Sequence, residues 1–97
     1  MNDAEIEAIV LRAIHNINLA REPHAQIEES PRAAIFGPDS PLDSLGLVSL
    51  LIDVEEAMND RGFDIMLSDA RAMSQTLSPF RSVPALVAHI QSVLSAT

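Results

Sequence analysis

Apolar residues open the chain at helical spacing. Ile6, Ile9, Val10, Ala13, Ile14 and Ile17 share one face, which predicts an amphipathic helix from residue 3 to about 20. Asn2 or Asp3 is its cap, the acids Asp3, Glu5 and Glu7 suit the positive end of its dipole, and Pro23 ends it. From 21 to 43 the period is lost among Pro23, Pro31, Gly37, Pro38 and Pro41, which predicts a long loop pinned to the core by Ile27, Ile35 and Phe36. A second helix is predicted from about 44 to 60, stopped before Gly62 as its C-terminal cap. Gly46, Ser49, Asp53, Glu56 and Asp60 form a narrow polar stripe on it, and the wide apolar arc that remains suits a helix packed on several sides or meeting a partner.

The stretch from 63 to 81 is less regular. It predicts one or two short helical turns, starting at Ser68 or Asp69 and stopping at Pro79. A strand over Phe63 to Leu67 is an alternative with no evident partner strand. A closing helix follows, capped by Ser82, with Pro84 in its first turn. Its buried face is Val83, Leu86, Val87, Ile90, Val93 and Leu94. The sum is one all-α domain over 1–97: three main helices, a long first loop and a short irregular third element.

Composition supports helices over a sandwich. The chain is 47% hydrophobic but only 3% aromatic, so its core is built from Leu, Ile, Val, Ala and Met. No run of eighteen apolar residues predicts a membrane span, and the acidic N-terminus has no signal-peptide pattern. With no cysteine, the expected location is the cytoplasm.

Charge narrows the partners. Fourteen acids face six arginines, for a formal net charge of −8. Such a field repels nucleic acid and anionic lipid, and favours a protein partner with a basic patch. Three other chemistries fail on their residues. An EF-hand from Asp39 would place Pro41 and Leu50 where its third and twelfth ligands belong. His15, His24 and His89 are scattered with no metal-ligand spacing. Ser44 also lacks a Gly-x-Ser-x-Gly elbow, which gives a hydrolase triad no support.

The remaining question is why "LDSLGLVSLLIDVEE" puts an Asp-Ser pair at the start of an apolar helix. Either residue can cap it, and a capping box is excluded because Leu47 stands three residues after Ser44. If Asp43 caps, a serine remains at the positive end of the dipole, where a phosphate is electrostatically welcome.

This motif resembles the phosphopantetheine attachment site of acyl carrier proteins. The order of the first helix, long loop, acidic motif helix, "GFDI" connection and "SVPALVAHI" helix is similar to theirs over essentially the whole chain. The resemblance implies a four-helix bundle of the acyl-carrier type and a non-enzymatic, monomeric, stand-alone carrier. Ser44 would bear 4′-phosphopantetheine from coenzyme A, with Asp43 supporting. Leu45, Val48 and Ile52 would form an apolar docking patch, with Asp53, Glu55 and Glu56 as its acidic rim; core packing and a solvated face are the plainer alternatives. The implied partners are a phosphopantetheinyl transferase, an acyl-loading ligase, and acyltransferase or synthase enzymes with basic patches.

The chain departs from the family pattern in three places. Gly46 and Ser49 stand where many fatty-acid carriers have acids, and Leu42 replaces a small residue. An insertion around Leu67 to Phe80 lengthens the path from Ser44 to Val83, which points to a specialised carrier. A peptidyl or aryl carrier of a small nonribosomal system, and an acidic helical adaptor without any prosthetic group, are the competing readings.

Overall fold

Asn2 starts the first helix with a reciprocal cap. Its side chain accepts from the Glu5 amide at 2.8 Å, and its own amide donates to the Glu5 carboxylate at 3.1 Å. This capping box satisfies two groups a helix start otherwise leaves open. Helix α1 runs Asp3–Asn18 and buries Ile6, Ile9, Val10, Ala13 and Ile14; Ile17 is half-buried at the rim of the core. The computed structural model describes residues 1–37, 40–67 and 80–95.

The helix ends two residues earlier than the pattern predicts, and Pro23 is not what ends it. Asn18 is buried, and its side chain turns away to meet Ile27 in the following loop. Its amide donates to the Ile27 carbonyl at 2.8 Å and its oxygen accepts from the Ile27 amide at 2.9 Å. Pro23 instead opens a short 3₁₀ turn, Pro23–Ala25.

The long loop is folded into the core. Ile27, Ala33, Ile35 and Leu42 are all buried, and Phe36 packs partly against them. Ile27, Ile35 and Phe36 therefore pin the loop as their sequence predicts, and Ala33 and Leu42 add to it. The loop is also stitched to the far end of the chain. Ala34 and Ser82 form an isolated antiparallel bridge, with Ile35 N donating to Arg81 O at 2.9 Å and Val83 N to Ala33 O at 3.0 Å.

Helix α2 runs Ser44–Asp60 and presents Leu47, Leu50, Leu51, Val54 and Met58 to the core. Gly62 ends it in the left-handed conformation at φ +89°. Its amide bonds the Asn59 carbonyl, and the Phe63 amide bonds the Met58 carbonyl, the two bonds of a Schellman cap. Residues 63–67 follow without a strand; Ile65 and Leu67 turn inward while Met66 is exposed. The predicted turns from Ser68 or Asp69 to Pro79 lie outside the described residues.

Helix α3 runs Val83–Ser95, and Ser82 caps it by accepting from the Ala85 amide at 3.3 Å. Val83, Leu86, Val87 and Ile90 are buried, with Val93 and Leu94 half-buried beside them. α1 packs on both α2 and α3. Gln91 also reaches the chain start, donating to Met1 O and the Asp3 carboxylate at 2.9 Å each. The described residues are all-helical, with three helices and no strand. No helix among them is long and apolar enough to cross a membrane.

Candidate functional site

The choice of cap at α2 is settled by geometry. Asp43 is extended at φ −91°, ψ −178°, and its carboxylate accepts from the Gly46 amide at 2.8 Å. Its carbonyl takes the first helical bond, from Leu47 N at 2.9 Å. Ser44 is then the first helical residue, and the helix does not need a serine there to be capped.

The segment that delivers the chain to this turn is tied at each step. Ser40 Oγ donates to the Ile35 carbonyl at 2.7 Å and accepts from the Leu42 amide at 3.2 Å. Arg21 reaches from the end of α1 towards the Pro41 carbonyl at 3.5 Å, while its Nε holds Ala25 O at 2.6 Å. Leu42 is buried, and its side chain lies over Gly46.

Beyond the first turn, the residues assigned to docking divide into groups. Leu45 is 79% exposed and Ile52 41%, with Val48 half-buried between them. At spacings of three and four these residues line one side of the helix, and Leu45 and Ile52 are not core residues. The three acids differ in their settings. Glu56 is exposed. Asp53 is half-buried and lines a groove against α1, with Ala8, Arg12, Ala57 and Arg61. Glu55 accepts from the Leu67 amide at 2.6 Å, so it holds the 63–67 segment to α2.

A second polar cluster ties the loop to α1. Glu29 lies 2.9 Å from His15 Nδ1 and accepts from Asn18 Nδ2 at 3.1 Å. The Asn18 bond, and then the His15 bond, hold the Glu29 carboxyl below its usual 4.5, against a smaller opposing effect of desolvation. No group of three or more His, Asp or Glu suited to a metal ion occurs among the described residues.

Two features here are not visible in helical periodicity. Asn18 reads as one more polar residue near a helix end, and only its contact with Ile27 shows what it does. Leu42 and Gly46 each stand out as departures from the carrier pattern. Their spacing of four, across the start of a helix, is the signal that pairs them.

No family model matches the chain, and no curated protein or solved structure matches it.

Proposed function

We propose that the chain is a carrier protein that takes 4′-phosphopantetheine on Ser44 and is not itself an enzyme. The observation that carries this reading is the division of labour at the start of α2. Asp43 makes the cap, Ser44 is the first helical residue, and the next residue, Leu45, is an exposed leucine where a cap alone would call for none. These residues fit the group. A serine hydroxyl is the acceptor such a phosphodiester needs, Ser44 is the first residue of a 17-residue helix and so belongs to its positive end, and the first turn of α2 carries no acid. Once attached, the arm supplies a thiol that holds an acyl or aminoacyl group as a thioester.

The chain's own residues then serve to bring partners to that arm. Leu45, Val48 and Ile52 offer apolar contact, and Glu56 with the −8 net charge steers enzymes carrying basic patches: a phosphopantetheinyl transferase first, then a loading ligase and an acyltransferase or synthase. Tethering raises the effective concentration of cargo at each of them. The four-helix bundle of the acyl-carrier type, with a short third helix before α3, is part of the same proposal.

Co-expression with a broad phosphopantetheinyl transferase, followed by intact mass, tests the reading. The expected result is a gain of one phosphopantetheine that disappears in Ser44→Ala. Absence of the gain, or its survival in Ser44→Ala, overturns it. The exposed Leu45 and Ile52 would also serve an unmodified adaptor, and full biological activity of Ser44→Ala would favour that second reading.

A further inference from the structure

Gly46 has no conformational reason to be glycine. It is helical, and the described glycines with positive φ are Gly37 and Gly62. Propensity alone would prefer alanine at this place in a helix. What excludes a side chain is its surroundings. A β-carbon at 46 would stand 2.5 Å from Leu42 Cδ1, 3.0 Å from Leu42 Cγ and 3.2 Å from Asp43 Oδ1. The first two belong to a residue only 4% exposed, which cannot swing away without disturbing a close-packed core. The third is the atom that accepts the Gly46 amide in the cap. One methyl group would therefore press on the buried leucine and on the helix cap together.

We propose that Gly46 is a positioning residue for modification at Ser44. Leu42, its side chain seated over Gly46 and its backbone amide held by Ser40, fixes the turn that carries the serine. It also crowds position 46, so that any side chain there, an acid included, must displace Leu42 Cδ1. An enzyme approaching this turn meets backbone at 46 and the exposed Leu45, so the partner surface that fits here is apolar. Its basic groups belong further along α2, towards Glu56. The inference rests on the carrier reading of Ser44.

The test uses the full chain as wild type, Gly46→Ala, Leu42→Ala and the double variant. Two quantities are read: hydrogen exchange at the residue-46 amide by NMR, and kcat and KM for modification of Ser44 by coenzyme A and a broad phosphopantetheinyl transferase. In Gly46→Ala the amide should exchange about tenfold faster, as loss of a helix cap allows. Modification should slow about tenfold, mainly in kcat, because the serine is misplaced while the docking patch is intact. The double variant should return both values to within about twofold of Leu42→Ala alone, since the truncated leucine vacates the space the methyl needs.

Gly46→Ala behaving as wild type in both measurements overturns the proposal. So does a double variant no better than Gly46→Ala. If wild type takes no arm while exchange at 46 follows the expected pattern, the carrier reading has failed and the positioning role falls with it. If wild type is modified but exchange and kcat are indifferent to Gly46→Ala, the carrier reading stands and only the positioning role is lost.

Discussion

Asn18 shows how much a single buried amide can organise. Its side chain makes two hydrogen bonds to the Ile27 backbone, and a third ties it to Glu29. Asn18→Ala would strand a buried amide and carbonyl at Ile27, at a cost of about 2–3 kcal/mol. A lower urea midpoint with an unchanged denaturant slope is the expected reading. Glu29 adds a pH dependence with a definite sign. Its carboxyl is held below 4.5 by Asn18 and His15, so its contribution is fully present above 4.5 and is lost as pH falls through the depressed value. Wild type should be more stable than Glu29→Gln at neutral pH, and the gap should close below 4.5. A gap that is constant through that range would remove Glu29 from the acid response.

At the scale of elements, the helices were legible because burial and period coincide. The apolar residues of α1 and α3 recur every three or four positions, and those facing inward are the ones the period selects. The end of α2 was legible for another reason, since Gly62 alone tolerates φ +89° without strain. Gly62→Ala should cost about 1–2 kcal/mol, seen as a lower melting temperature with helicity retained. The end of α1 was not legible, because it depends on a partner nine positions away rather than on a local breaker. Nor was the role of Glu55. Its place on the helix suits a solvated acid, and only the fold brings the Leu67 amide within 2.6 Å of it. For the candidate site, the Asp-Ser-Leu triplet was visible as residues, while the assignment of the cap to Asp43 rather than Ser44 needed coordinates.

At the scale of the whole molecule, the formal net charge of −8 sets a long-range field. Between described residues, the carboxylates paired with a basic side chain, at 2.9 and 3.6 Å, are Glu29 and Glu22, each facing a histidine. The field that remains can act on a partner at a distance, whereas Leu45 and Ile52 act only on contact. On the carrier proposal, Glu56→Lys should therefore slow modification of Ser44 at low salt, with a deficit that shrinks as ionic strength rises past 0.1 M, where screening acts beyond about 10 Å. Ile52→Asp should slow it at every salt concentration. Both changes lie on exposed positions, so stability should move by no more than about 0.5 kcal/mol. Equal kinetics in both variants would move the docking surface off this face. Glu55 is unsuited to the comparison, because replacing it also releases the 63–67 segment.

The bridge between Ala34 and Ser82 also has a kinetic meaning. It joins positions 34 and 82, far apart along the chain, through a loop and the threshold of α3. Contacts of such sequence separation carry a loop-closure entropy that must be met before they contribute anything. A folding nucleus is therefore expected in α1 and α2, with the bridge and α3 locking on afterwards. In a chevron, Ile35→Val should hasten unfolding and leave the folding limb nearly unmoved, whereas Ile9→Val in α1 should slow folding. Ile35 O also anchors Ser40 ahead of Leu42 and Ser44, so the late-forming bridge seats the same residue that holds the serine's turn in place. On that ordering, a chain emerging from synthesis could not present Ser44 in its final setting until residues beyond 82 had been made.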